Sequence, residues 1–546
     1  MRLFPRFWAA TVLSVANFSL CLAVERVQVT VLSTTDLHGH IYPIDYATNQ
    51  PSPTGLARVA TLIRAARKDA PDSLLIDCGD TIQGTPLAYY HNRIRNEPVD
   101  PMMLSMNALG FDALAMGNHE YNFGLAVLQK AQREAKFPWL SANTLRAGTS
   151  EPAYTPFLIK EVKGVRVGIL GLTTPGIPNW ENAANYTGLT FADPVESARH
   201  WVEVLRSRER VDLVVAAMHM GLEENVATGV PSPGQVPGEN SALAIARSIP
   251  GIDLIFMGHT HREVAGLSVA GCLLTQASRW GDRLARADVY LERADPSSRW
   301  KVVAKSSVTL AVTLATPPDP EILALSRSYH EETQAWLSQP IGRSALALSS
   351  REARLRDTAI VDLIQRVQLD AGKADVSFAA AFTLDAALPQ GAVTVREIAG
   401  LYVYENTLVV VELTGALIKA ALEHSARYFL PYAPGKTPAD LIDPTIPGYN
   451  FDIAEGVDYT LDLTRPPGDR ITDLRFQGAP LDPDRTLRVA INNYRLNGGG
   501  GYTMFRGARV LDRSNVEVRD LIIDWVRRNP EIPSQPTGNW KLLPAP

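Results

Sequence analysis

Five stretches in the first half of the chain share one plan. A short apolar run ends in one or two polar residues of the kind that bind cations, usually beside a glycine. Val27 to Thr34 alternates, is β-branched, and leads into Asp36-Leu37-His38-Gly39. Ser73 to Ile76 delivers Gly79-Asp80, and Phe111 to Leu114 delivers Gly117-Asn118-His119. Val211 to Met218 ends at His219, and Ile252 to Met257 ends in Gly258-His259-Thr260-His261. Runs of this length and composition predict buried strands. Gly55 to Ala66 has apolar residues at helical spacing, so this half reads as α/β. Open sheets of that class bind ligands outside the carboxyl ends of their strands. Spacing of two on an extended segment puts Asp36 with His38, and His259 with His261, on one face.

Taken singly, each signal has a plainer reading. A loop histidine is more often a surface or packing residue, and Asp80 after a glycine can be a turn aspartate. Together, Asp36, His38, Asp80, Asn118, His219, His259 and His261 supply the carboxylate, amide and imidazole donors of a paired divalent-metal site. Such mixed ligands suit Mn²⁺, Zn²⁺, Co²⁺ or Fe alike.

At 546 residues the chain exceeds one ordinary core, so two domains are expected. A net charge of −5, from 53 basic and 58 acidic residues, offers no field for a nucleic-acid polymer. Small anionic ligands remain open, because bound cations reverse the local sign. Arg2 and Arg6 precede the apolar run Phe7 to Leu22, and Cys21-Leu22-Ala23 offers a small-x-small cleavage site. Residues 1–23 therefore read as a signal peptide, and the protein as exported to the periplasm or beyond, with no membrane attachment after cleavage. The run is short for a span, and Phe18-Ser19-Leu20 lacks the small residue expected before a lipidated cysteine. Past the leader only Cys78 and Cys272 remain, in separate apolar strands, and they read as packing residues.

The blocks Asp-x-His, Gly-Asp, Gly-Asn-His-Glu, His and Gly-His-x-His stand here in the order of the calcineurin-type metallophosphoesterase superfamily, which residues 27–312 resemble. The resemblance implies a four-layer α-β-β-α sandwich. It implies one metal on Asp36, His38, Asp80 and His261, and another on Asp80, Asn118, His219 and His259, with Asp80 shared. It makes His119 a phosphate-contacting catalytic residue and not a ligand.

A Pro-rich break at Val312 to Pro320 precedes a polar helix, Pro320 to Trp336, and residues 318–340 are expected to join the domains. Residues 341–546 read as mixed α+β: a helix over Asp357 to Ala371, strands at Val376 to Ala381 and Leu408 to Leu413, Thr414-Gly415 opening a helix, and a terminal helix over Val516 to Arg527. With no ligand cluster, this half should recognise substrate. Tyr402 and Tyr404, followed by Asn406, and Tyr494, followed by Gly498 to Gly501, offer faces for bases and close backbone approach. Sheet packing and a loose turn explain them equally well.

Leu401-Tyr402-Val403-Tyr404, Gly448-Tyr449-Asn450-Phe451-Asp452, Glu455-Gly456-Val457-Asp458-Tyr459 and Asn492-Asn493-Tyr494-Arg495 resemble the 5′-nucleotidase C-terminal domain. The likeness is strongest to its branch of 2′,3′-cyclic-nucleotide 2′-phosphodiesterases/3′-nucleotidases. It implies that Tyr404 and Tyr494 sandwich a base, with Asn406, Gly456 and Arg354 as further substrate contacts. Three departures separate the chain from 5′-nucleotidases. Asn122 stands where those enzymes pair an aspartate with the catalytic histidine, Ala379-Ala380-Ala381-Phe382 replaces a segment ending in a substrate-binding arginine, and Gly500 replaces a base- or ribose-binding aspartate. Asn122 can orient an imidazole without adding charge. The expected activity is hydrolysis of 2′,3′-cyclic nucleotides and 3′-nucleotides with two divalent cations, and the alternative is a 5′-nucleotidase or UDP-sugar hydrolase.

Overall fold

The computed structural model describes residues 24–232, 235–236, 238–404 and 406–545; the expected signal peptide, residues 1–23, lies outside them. In the N-terminal half, two six-stranded sheets lie face to face. The first runs in the order Lys301–Ala311, Arg283–Arg293, Glu25–Thr34, Leu74–Asp77, Ala113–Ala115, Trp139–Leu140. The second runs Glu263–Val269, Cys272–Ala277, Leu254–Met257, Leu213–His219, Val165–Thr173, Phe157–Val162. The strands that end at the polar blocks run parallel to one another within each sheet, so their carboxyl ends gather at one edge.

The pleat sorts side chains between layers. In Leu213–His219, Leu213, Val215 and Ala217 face the other sheet, together with Val29, Val31, Ile76 and Val167. Val214, Ala216 and Met218 face outward onto helices Pro194–Glu203 and Ala242–Ser248. Leu32 and Leu75 face the other way, onto helices Leu56–Asp69 and Pro101–Leu109. Burial on both faces explains why these strands read as continuous apolar runs. The result is the expected four layers, α-β-β-α. Cys78 and Cys272 are buried free thiols within it.

Helix Pro320–Leu337 begins at Asp319, whose carboxylate accepts from the N–H groups of Glu321 and Ile322. It lies pinned to the N-terminal half. Tyr42 donates to Leu323 O (2.9 Å), and its ring stacks on His330 at 4.0 Å. Ile322, Trp336 and Leu337 are buried in a core that continues into the C-terminal half. That half is built on a five-stranded sheet in the order Asp452–Glu455, Val376–Ala380, Thr486–Asn492, Thr407–Thr414, Arg509–Glu517. Helices Ala359–Gly372, Gly415–Ser425 and Val518–Arg528 accompany it. The terminal helix starts later than its apolar pattern suggests, because Val516 and Glu517 finish the preceding strand.

Two local features run against sequence pattern. Ser241 is a residue type suited to capping and occupies the N-cap of Ala242–Ser248, but its side chain makes no cap bond. The distant carboxylate of Glu223 accepts from the Leu243 and Ala244 N–H groups instead, at 3.0 and 2.6 Å. Tyr402 to Tyr404 is not a strand: it follows helix Val395–Leu401, with Tyr402 buried and Tyr404 exposed.

Candidate metal centre and nucleotide cleft

The strand-end residues meet in two groups. Asp36, His38 and His261 form one and Asp80, His219 and His259 the other, and within each the donor atoms lie within 4.8 Å of one another. In the first, the Nε2 atoms of His38 and His261 are 3.0 Å apart, and Asp36 Oδ1 is 3.3 Å from His261 Nε2. Two imidazole nitrogens aimed at each other beside a carboxylate are the donor set of a cation site. In the second, Asp80 Oδ2 is 2.9 Å from His219 Nε2, and Asn118 Oδ1 is 3.1 Å from the same nitrogen. Asp80 Oδ2 is also 3.9 Å from His38 Nε2, so one oxygen faces both groups.

The donors converge, but not through the extended backbone that the spacing of two assumed. Asp36 and His38 have φ of 50° and 47°, and His259 and His261 have φ of 70° and 54°. These are left-handed turns past the strand ends, not extended backbone. The turn sends His259 and His261 into different groups. Asp80 shares the conformation, with φ of 58°. L-residues resist it by about 1–2 kcal/mol each, and such strain gathers at functional sites.

Tight packing of the loops leaves room only for glycine at two positions. A Cβ on Gly79 would come within 2.5 Å of Ala115 O and Gly117 N, and one on Gly117 within 2.2 Å of Asp80 Oδ1. Glu120, fully buried, ties the loops together: it accepts from the N–H groups of Asp80 (2.9 Å), Thr81 (2.6 Å) and Gly117 (2.6 Å). Burial, then the Asp80 charge, raises its pKa, and those donors oppose the rise. Glu120→Ala leaves three buried donors unpaired, a cost of about 1–3 kcal/mol each. A lowered thermal midpoint together with lost metal content is the expected outcome, read by calorimetry and elemental analysis, with Glu120→Gln milder on both.

Charge is distributed unevenly among the imidazoles. Burial dominates at His38 and brings it down to about 3, against the pull of Asp80 and Asp36. At His219 burial opposes charge, but adjacent Asp80, then Asp36 and Glu120, lift it to about 10. His219 Nδ1 lies 2.7 Å from Cys78 O, which fixes the ring and turns Nε2 toward Asp80.

His119 sits beside both groups without joining either. Its backbone N–H donates to Asp80 Oδ1 (2.8 Å), and its ring centroid is 5.2 Å from that of His38. Asn118, His119 and Asn122 line a cleft of about 490 Å³, and Tyr404, Asn406 and Tyr494 line it from the C-terminal half. Phe382 also lines it, standing edge-on to Tyr404 at 5.0 Å. The Tyr494 ring lies over Gly499, where a Cβ would come within 2.6 Å of it. Arg495 locks the tyrosine's loop through paired bonds to Asp452 (2.7 and 2.9 Å) and one to Tyr449 O (2.6 Å). Two of the sequence blocks quoted for the C-terminal domain thus touch each other.

Two expected contacts lie elsewhere. Arg354 is absent from the cleft lining; its guanidinium donates to the carbonyls of Ala381 (2.8 Å) and Phe382 (3.3 Å) and so holds the Phe382 turn. Gly456 is also absent from the lining. It turns the chain between Asp452–Glu455 and Asp458–Asp462 with φ of 90°, and a Cβ there would come within 2.1 Å of Asp375 O. Two residues that no local signal marked do belong. Glu239 Oε1 is 2.9 Å from His259 Nε2, and Glu181 reaches Asn122.

Donor groups of this kind at the carboxyl edge of a four-layer sandwich define a metal-dependent phosphoester hydrolase. Residues 29–263 match the calcineurin-like phosphoesterase family and residues 340–507 the 5′-nucleotidase C-terminal domain, and the chain belongs to the family that joins the two. It is 30% identical to the 2′,3′-cyclic-nucleotide 2′-phosphodiesterase/3′-nucleotidase of Haemophilus influenzae, over 97% of this chain and 90% of that one. It is 31% identical to the protein of the same name from Salmonella typhimurium, over 95% and 89%. A trifunctional nucleotide phosphoesterase of Bacillus subtilis is 29% identical, and the match spans 96% of this chain but 39% of that longer one. Among solved structures, a Staphylococcus aureus chain crystallised with α-ketoglutarate superposes with a TM-score of 0.82 (28% identity, 94% of this chain, 100% of that one). A 5′-nucleotidase precursor of Thermus thermophilus gives 0.64 (26%, 95%, 100%).

Proposed function

We propose that the chain hydrolyses 2′,3′-cyclic nucleotides to 3′-nucleotides, and 3′-nucleotides to nucleoside and phosphate. In the first reaction water adds to phosphorus and the P–O2′ bond breaks, the 2′ oxygen taking up a proton. In the second the P–O3′ bond breaks likewise. Asp36, His38, Asp80 and His261 hold one divalent cation, and Asp80, Asn118, His219 and His259 the other. Bound cations supply positive charge at the phosphoryl oxygens and bring the pKa of a water toward neutrality. Asn118 and His119 present an amide and an imidazole to the phosphoryl group, where charge shifts during in-line displacement.

The observation that carries the reading is the shared cleft. His261 and His259, one from each donor group, line the same cavity as Asn118, His119 and the Tyr404–Asn406–Tyr494 surface, and the cavity is of a size ordinary for a small-molecule site. Asn122 in place of aspartate and Phe382 in place of arginine favour cyclic and 3′-nucleotides over 5′-nucleotides, in keeping with the names of the Haemophilus and Salmonella relatives. Likeness to the Thermus 5′-nucleotidase precursor keeps a 5′-nucleotidase or UDP-sugar hydrolase as the second reading. Side-by-side assay of 2′,3′-cAMP, 3′-AMP and 5′-AMP separates the two; preference for 5′-AMP overturns the first. The basic, apolar and small-x-small pattern of residues 1–23 supports export to the periplasm or beyond.

A base stacked on one aromatic ring gains about 1–3 kcal/mol. Tyr404→Ala and Tyr494→Ala should therefore each raise KM for 3′-AMP, by a factor between about 5 and about 150. Turnover of an aliphatic phosphate monoester such as glycerol 2-phosphate, which has no ring to stack, should stay unchanged in the same steady-state assay.

A further inference from the structure

Asn122 faces two partners at once. Its side chain follows the short helical turn His119–Tyr121, with Oδ1 2.6 Å from His119 Nδ1 and Nδ2 donating to Glu181 Oε2 at 2.7 Å. Glu181 comes 59 residues later, just past the helix Ile177–Trp180. Its other oxygen, Oε1, accepts from the Asn182 N–H (2.6 Å) and from Asn185 Nδ2 (2.9 Å). Asn185 Nδ2 also reaches Asn122 O, and Arg93 Nη2 donates to the same carbonyl at 3.1 Å, so the backbone of the turn is held as well.

An asparagine amide has nearly the same shape either way round, and its partners decide which end points where. Burial raises the Glu181 pKa, and its donors Asn185, Asn182 and Asn122, with His119, oppose the rise; the ionised carboxylate that these donors favour only accepts. Glu181 therefore admits only the NH₂ end of Asn122, which leaves the carbonyl for His119. A carbonyl also only accepts, so His119 Nδ1 must carry a proton and Nε2 is the ring nitrogen left to act in the cleft. We propose that Glu181 is a positioning residue: by fixing the orientation of Asn122 it sets which nitrogen of His119 carries the proton and how the ring is aimed. This rests on the reading that His119 works on the phosphoryl group.

The test is a pair of exchanges in the metal-loaded, full-length protein. In Glu181→Gln the Asn182 and Asn185 donors keep the new amide's oxygen, so its NH₂ faces Asn122. Asn122 then turns over and offers NH₂ to His119 Nδ1, which favours the opposite tautomer. The expected result is a kcat for 3′-AMP lowered about a hundredfold, with KM nearly unchanged. The ¹⁵N shifts of His119, assigned by their loss in His119→Gln, should report the change of tautomer. In the double variant Glu181→Gln/Asn122→Asp, the carboxylate introduced at position 122 accepts from both the amide NH₂ introduced at position 181 and His119 Nδ1, so the parental tautomer returns. A Glu181→Gln enzyme with the parental ¹⁵N pattern overturns the proposal, and so does a double variant that keeps the ¹⁵N pattern of the single one. A tautomer shift that leaves kcat untouched instead refutes the role of His119 on which the proposal rests. Thermal midpoints measured alongside separate either result from misfolding.

Discussion

Asp80→Asn is expected to leave a folded chain that retains little of its metal and loses about a thousandfold or more of its turnover of 3′-AMP. Asparagine has almost the shape of aspartate and is among the residues that best tolerate the left-handed φ of 58° found at position 80. Its Oδ1 can still accept the His119 N–H, which the aspartate accepts at 2.8 Å. Only the charge and one lone-pair-bearing oxygen disappear. That oxygen is Oδ2, which faces His219 at 2.9 Å and His38 at 3.9 Å and so serves both donor groups. Lewis-acid stabilisation at a phosphoryl centre amounts to several kcal/mol, and each 1.4 kcal/mol is about tenfold in rate. Metal content after dialysis, turnover and thermal midpoint check the result together. Parental metal content with parental turnover in the variant would show that Asp80 is a turn residue after all. Chelation of the parent protein followed by addition of single divalent cations in the same assay identifies the metal.

What the sequence made legible follows from how far apart the cooperating groups lie along the chain. Strand ends could be read because burial on both faces writes an apolar run, and a polar residue stands directly after it. The meeting of Asp36, Asp80, His219 and His259 at one edge was legible for that reason. Their backbone shape was not, because a left-handed turn in Asp36 or His261 leaves no trace in composition and only the packed loops impose it. Glu120 was visible as the last letter of Gly-Asn-His-Glu, yet its task of gathering the N–H groups of Asp80, Thr81 and Gly117 exists only after folding. Glu181 and Glu239 sit in short helical and Pro-rich surroundings whose local pattern carries no chemistry, and topology alone brings them to Asn122 and His259. Arg354 and Gly456 stand the other way. The resemblance implied substrate contacts for both, whereas in the fold one anchors the carbonyls of Ala381 and Phe382 and the other turns the chain against Asp375. Tyr402 and Tyr404, two apart and equivalent by pattern, were separated by the end of a helix: one ring is buried against Phe382, and the other is exposed in the cleft.

His119→Ala should divide binding from chemistry. The bond that joins residue 119 to Asp80 comes from its backbone N–H, so it survives removal of the ring, and the donor groups Asp36–His38–His261 and Asp80–His219–His259 do not include position 119. Metal content should stay at the parental level, in contrast to His219→Ala, which removes a donor and should lower it. Nucleotide should still bind, because Tyr404 and Tyr494 are untouched. Turnover of 2′,3′-cAMP and 3′-AMP should fall by about 10²–10⁴, the range for loss of a positioned acid–base group, with KM changed far less than kcat. A protein that merely captures nucleotides would show no such split, since the parent would release no phosphate for the substitution to abolish. If His119→Ala instead empties the site of metal, the imidazole is a ligand, and the division of labour between His119 and the seven donor residues fails with it.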